Sequence, residues 1–295
     1  MKGIDRIDNI NGQSPHSVGE RSIRIAILDL YEGVANEGMR GIRQLIEEFE
    51  ADCHAMVKYQ FFDVRQKAEL PDLNFDVYIS SGGPGSPLDS AGSLWERRFF
   101  TLMDDIKVFN QQNPEQKKYV LLICHSFQIF CRYYGYGQVS KRKSTSFGVM
   151  PVFKTFEGHH DLILRSLNDP LWAVDSRDYQ ILQPNEEKIT AEGGAVLCIE
   201  KYRPHVDLER AVMAIRFDEA FIGTQFHPEA DAVGIRRYLL REDKKELVIE
   251  KYGEKKYWEM LDHLNDPDKI MLTYSTVVPR FLMTACSQQL RSLSL

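Results

Sequence analysis

The stretch Tyr119-Val-Leu-Leu-Ile-Cys-His-Ser-Phe-Gln128 decides how this chain is read. An apolar run of strand length stops at Cys124 and gives way at once to a segment with helical character, so the cysteine stands on a strand-to-helix bend. At such a bend a thiol meets substrate and lies at a helix N-terminus, where the dipole favours a thiolate. Farther along, Gly223-Thr-Gln-Phe-His-Pro-Glu229 ends a second strand on a histidine, with a carboxylate two residues on. Pro228 restricts His227 to extended conformations. A histidine can move the proton and a carboxylate can orient the ring, so Cys124, His227 and Glu229 form the candidate triad.

Outward from Cys124, strands and helices alternate. Arg24–Leu30, Lys58–Val64, Phe75–Ser80 and Tyr119–Ile123 read as strands, and 39–49, 94–110 and 125–134 read as helices. This alternation predicts an α/β fold around a mainly parallel sheet, which binds ligands beyond the carboxyl ends of its strands. Ser81-Gly-Gly-Pro-Gly-Ser86 and Cys124 both fall at such ends. The glycines of this loop allow backbone N–H groups to approach a developing oxyanion. Residues 139–227 differ, with short strand-like runs at Phe147–Phe153, Ala195–Ile199, Ala211–Phe217 and Phe221–Phe226, and are expected to add antiparallel strands. Asp175-Ser-Arg-Asp178 is polar and reads either as cleft lining or as a solvated turn.

The divisions expected are a mobile leader over 1–21, a main domain over 22–240 and a helical C-terminal extension over 241–295. In the extension, segments 254–264 and 269–290 carry Tyr257, Trp258, Leu261, Leu264, Met271, Phe281 and Leu282. Packing of these apolar residues on the main domain is the simpler reading, and a homodimer or partner interface the alternative.

Composition bounds the function. The chain has 295 residues, a net charge of -6 and five cysteines with no CxxC pair, which suits a reducing cytoplasm and disfavours a disulfide framework. The acidic balance argues against nucleic acid, and no apolar run is long enough for a membrane span. The basic run Lys141-Arg142-Lys143 reads as a solvated loop rather than a phosphate site. His159-His-Asp161 is not a convincing metal set, because adjacent histidines on an extended segment point to opposite faces. No GxxxxGK[ST] or GxGxxG fingerprint occurs, so neither cofactor nor metal is expected.

Together, Leu122-Ile-Cys-His-Ser-Phe-Gln128, Gly82-Gly-Pro-Gly85 and Gly223-Thr-Gln-Phe-His-Pro-Glu229 resemble the elbow, oxyanion loop and late motif of the class I glutamine amidotransferases. The resemblance covers about residues 23–240. It implies a flavodoxin-like sheet flanked by helices and cleavage of a glutamine side-chain amide through a γ-glutamyl thioester on Cys124. His227 would be general base and acid, and Glu229 its orienter. The backbone N–H groups of Gly83 and His125 would form the oxyanion hole. Gln128 and Gly82 would contact a glutamine or γ-glutamyl substrate, and ammonia would pass to a synthetase partner. Three positions depart from the pattern: Leu122 and Ser126 replace glycines, and Phe127 replaces a histidine. The first two are expected to narrow or reshape the pocket. A γ-glutamyl peptidase and a catalytically silent binding subunit therefore stand beside the amidotransferase-like enzyme as readings.

Overall fold

The computed structural model describes residues 22–34, 36–53, 56–205 and 207–291. The leader expected over 1–21 lies outside them.

The parallel half is built from β1 (Ile23–Asp29), α1 (Glu37–Cys53), β2 (Val57–Asp63), α2 (Val64–Lys67), β3 (Val77–Ser80), α3 (Leu94–Gln112), β4 (Tyr119–Ile123) and α4 (His125–Tyr134). β3 and β4 are buried at every position, because helices cover both faces of the sheet. That is why they read as unbroken apolar runs.

The chain then makes β5 (Gln138–Lys154), α5 (Phe156–His160), β6 (Leu171–Leu182), α6 (Glu186–Ala191), β7 (Ala195–Glu200), β8 (Val212–Arg216) and β9 (Phe221–Thr224). All nine strands join one sheet in the order β2-β1-β3-β4-β9-β8-β7-β5-β6. β2, β1, β3, β4 and β9 run parallel, and the remaining neighbours pair antiparallel. The mainly parallel core with an antiparallel addition is as expected. The segment around Asp175-Ser-Arg-Asp178 belongs to a twelve-residue strand rather than a turn.

β6 is last in the sheet order yet returns to the centre. The His227 N–H donates to Val174 O at 2.9 Å, and Val174 and His227 form an isolated antiparallel bridge. The β5–β6 hairpin therefore curls over the carboxyl ends of β4 and β9.

α7 (Ala232–Leu239), α8 (Glu242–Tyr252), α9 (Glu254–His263), a wide turn at Pro267–Met271, α10 (Leu272–Tyr274) and α11 (Val277–Arg291) complete the chain. α9 packs Tyr257, Met260 and Leu261 with Val149 and Val174 into a second apolar cluster. α11 adds Val277, Val278, Phe281 and Leu282 to the main core. Most of the extension's large apolar residues are thus spent within the chain, while Trp258 stays 51% exposed. No helix among the described residues is long and apolar enough to cross a membrane.

Candidate active site

β4 ends inside the sheet, and the chain must turn sharply to start α4. Cys124 takes that turn at φ 50° and ψ -99°, a left-handed conformation that costs a non-glycine residue energy. The bend is held from both sides. The Cys124 N–H donates to Thr224 O at 2.7 Å on β9, and Cys124 O accepts from the Gln128 N–H at 3.0 Å within α4. The thiol is left at the tip, 6% exposed.

His227 follows β9 on the neighbouring carboxyl end. Its Nδ1 lies 2.8 Å from Glu229 Oε1, and the Glu229 carboxylate is fully buried. α1 makes that burial possible at Gly41, where a Cβ would lie 2.1 Å from Glu229 O. Burial alone pulls the His227 imidazole toward its neutral form. The charges and hydrogen bonds of Cys124 and Glu229 outweigh burial and hold its pKa well above the ordinary histidine value.

Gly82, after β3, shows how closely these groups converge. A Cβ there would lie 2.9 Å from His227 Cε1, 3.1 Å from the Tyr31 hydroxyl and 3.5 Å from Cys124 Cβ. Only glycine leaves this space open. The structure therefore brings Cys124, His227, Glu229 and Gly82 together. Gly83 lies next to Gly82, and its N–H has no acceptor among the described residues. The His125 N–H opens α4, where helix geometry leaves donors unsatisfied.

Arg65 fixes the glycine loop. Its guanidinium donates to Pro84 O at 2.6 Å and Leu30 O at 3.3 Å, pairs with Glu32 at 3.0 Å and lies over the Trp95 ring. The His125 side chain is buried nearby. Desolvation, with help from Arg65 and Arg132, pulls its pKa down to about 3, so the ring is neutral.

Gln128 is placed beside the thiol in an amide chain. Its Nε2 donates to Gln225 Oε1 at 3.0 Å and Tyr179 O at 3.2 Å, and Gln225 Nε2 donates to Cys124 Sγ at 3.6 Å. Across the cleft, Ser176 O of β6 lies 3.8 Å from Sγ. The departures at 126 and 127 resolve into packing. Ser126 Oγ accepts from the Ile123 N–H at 2.8 Å and lies 3.0 Å from Ser80 O, so it ties β4 to β3. Phe127 is buried against Gly223 and Phe217, and Leu122 lies within β4.

Sequence reasoning singled out neither Tyr31, Arg65 nor Gln225, and took Ser176 only as part of a polar stretch. Gln225 stood within the quoted late motif, and Tyr31 stood at a strand's carboxyl end, where such sheets bind ligands. Nothing in the sequence marks Arg65. Tyr31 stays a phenol, because burial and then the charges of Glu229, Cys124 and Asp29 push its pKa well above the usual value.

Among the described residues no cluster of histidine, cysteine and carboxylate side chains could hold a metal ion. No curated protein matches the chain. The fold is similar to a glutamine amidotransferase from Thermotoga maritima, with TM-score 0.63 and 15% identity over 89% of this chain and 97% of that one. It is also similar to a glutamine amidotransferase from Methylobacillus flagellatus, with TM-score 0.60 and 15% identity over 89% of this chain and 94% of that one. The family model for glutamine amidotransferase class-I matches residues 38–243, the span that carries Gly82, Cys124, His227 and Glu229, and the chain belongs to that family.

Proposed function

We propose that this protein is a thiol amidohydrolase that cleaves the side-chain amide of glutamine, or the matching bond of a γ-glutamyl compound, through a thioester on Cys124. The observation that carries this reading is the strained cysteine at the end of β4, facing the buried His227–Glu229 pair across Gly82. The raised pKa of His227 favours an imidazolium beside the sulfur, the pairing that makes a thiol nucleophilic near neutral pH.

In the first step the Cys124 sulfur attacks the amide carbon, forming the C–S bond and moving the carbonyl π pair onto oxygen. The Gly83 and His125 N–H groups face that oxyanion. The oxyanion collapses, the C–N bond breaks, and His227 gives its proton to the departing ammonia. Neutral His227 then takes a proton from water as the hydroxyl attacks the thioester carbon. The second tetrahedral oxyanion collapses, the C–S bond breaks with its electron pair returning to the Cys124 sulfur beside the imidazolium, and the γ-carboxylate product departs. Glu229 keeps the ring oriented through both steps. Gln225 and Gln128 hold the sulfur's surroundings in place. A synthetase partner is the proposed recipient of the ammonia. A depression of about 510 Å³ lined by Asp178, two residues beyond Ser176 on β6, favours a second reading, cleavage of larger γ-glutamyl amides by the same thiol.

Intact-mass labelling with a diazoketone analogue of glutamine tests this. One adduct on the wild type, absent from Cys124→Ala and blocked by excess glutamine, is expected. An adduct of equal yield on Cys124→Ala would overturn the assignment of the thiol.

A further inference from the structure

The run Lys141-Arg142-Lys143 takes a place in the fold that a solvated loop would not. β5 and β6 pair regularly from Gln138↔Leu182 to Lys141↔Tyr179 and again from Ser146↔Arg177. Between these registers residues 142–145 of β5 stand against Asp178 alone. A bulge of this kind bends a strand and re-aims its side chains, commonly beside an active site. Here it opens a cavity of about 510 Å³, walled by Lys141 before the bulge, Arg142 and Lys143 within it, Asp178 of β6, and Lys251 and Tyr252 at the end of α8. A recess of about 160 Å³ shares Arg142 and Tyr252 and runs inward to Glu200.

The charges of this cavity do not balance. Two of its carboxylates, Glu200 and Asp175, are already ion-paired. Glu200 holds Arg142 at 2.8 Å, Arg203 at 3.2 Å and Arg177 at 3.4 Å, and Asp175 holds Arg177 at 2.9 Å. Asp178 accepts from the Thr145 hydroxyl at 2.5 Å. The ammonium groups are not matched. Lys251 donates to the Thr145 hydroxyl at 2.9 Å, and Lys141, Lys143, Lys201 and Lys256 have no carboxylate partner among the described residues. A concave wall in which cations outnumber the single carboxylate of Asp178 concentrates positive potential over the depression, even in a chain of net charge -6.

The cavity is also within reach of the thiol. Ser176 O is 3.8 Å from Cys124 Sγ. Asp178 is two residues on, on the same face of β6, about 7 Å along the strand. The end of α8 contributes Lys251 and Tyr252 to the wall, which brings the C-terminal extension to this cavity.

We infer that this cavity binds a carboxylate or phosphate group carried on the amine side of a γ-glutamyl substrate. The substrate class rests on the thiol-amidohydrolase reading; the anion site does not. The test uses the full chain as Cys124→Ser, alone and with Lys141→Glu and Lys143→Glu added. Calorimetry at low salt compares γ-glutamyl-aspartate with the uncharged γ-glutamyl-glycinamide, and citrate and inorganic phosphate are titrated separately. The expected result is at least about tenfold tighter binding of γ-glutamyl-aspartate, weakened by salt and lost on charge reversal. Saturable citrate or phosphate binding that charge reversal abolishes is expected too, and the tighter of the two identifies the group preferred. Anion binding without affinity for either γ-glutamyl compound would keep the site and sink the proposed activity. Equal affinity for the two γ-glutamyl compounds with no saturable anion binding, or a preference that survives charge reversal, would overturn the site.

Discussion

The two halves of the sheet are held together in different ways. In the parallel half, β3 and β4 are buried throughout and carry apolar side chains at almost every position. In the antiparallel half, β6 buries Asp175 at 2% exposure and pairs it with the buried Arg177, which also reaches Glu200. The first half is stabilised by area removed from water; the second adds a charge network that is safe only while complete. The proposed reacting groups sit where the halves meet. Cys124 and His227 come from the parallel side, and β6 closes over them from the other.

The largest effect is expected at that seam. Cys124→Ala should lower turnover of glutamine or a γ-glutamyl amide by at least about 10⁴-fold, with the far-ultraviolet circular dichroism unchanged. Activity near that of the wild type would remove the parallel half from the chemistry. Cys124→Gly should be just as inactive, yet more stable than Cys124→Ala by about 1–2 kcal/mol in urea, because glycine relieves the positive φ. No stability difference would mean that the elbow stores no strain.

Next comes Arg177→Met, which leaves the buried Asp175 without its guanidinium while Glu200 keeps Arg142 and Arg203. We expect a loss of about 3–5 kcal/mol, the usual result of breaking a buried ion pair by removing one partner. Adding Asp175→Asn should recover part of it. In the parallel half Leu121→Ala should cost about 2–5 kcal/mol for the methyl groups and cavity, with no such rescue available. A loss below about 1 kcal/mol for Arg177→Met would show that the two halves are not held differently after all.

This contrast also explains what could be read from the sequence. Val77–Ser80 and Tyr119–Ile123 announced themselves as strands, because a strand covered on both faces has almost nothing but apolar residues to show. The bend at Cys124 followed from the abrupt end of one of them. Asp175-Ser-Arg-Asp178 read equally as cleft lining or as a solvated turn, because a buried carboxylate and guanidinium that neutralise each other are indistinguishable, as letters, from a solvated pair. The curl that carries β6 back to Cys124 is set by contacts between segments distant in sequence, and no local pattern encodes it. Arg65 was hidden for the same reason: the atoms by which it fixes the glycine loop, Leu30 O and Pro84 O, are backbone acceptors that any residue offers.

His125 gives a smaller effect, visible through pH. Its pKa is held at about 3 by burial and by Arg65 and Arg132, against about 6.5 in the unfolded chain. Below 6.5 the unfolded state binds the proton and the folded state does not, so stability must fall as pH falls from 6.5 toward 3. At pH 5 this one group should account for about 2 kcal/mol. His125→Gln should therefore lose less stability than the wild type between pH 7 and pH 5, while its backbone N–H remains in place. Equal losses in the two proteins would show that the ring is reached by solvent.

The smallest effect separates architecture from pocket at Ser126, a position expected from the sequence to narrow or reshape the pocket. Its hydroxyl turns inward and bonds Ile123 and Ser80. Ser126→Ala should then cost about 1 kcal/mol, the net worth of a buried hydrogen bond, because it leaves the Ile123 N–H without that partner. KM for a γ-glutamyl amide should stay within about twofold, because none of the removed atoms faces the thiol and removing uniform binding is what raises KM alone. Ser126→Gly, which also frees the backbone, should cost more stability without changing KM further. A KM that fell sharply in either variant, with stability unchanged, would put the hydroxyl in the pocket and leave β3 and β4 to be joined by their ladder alone.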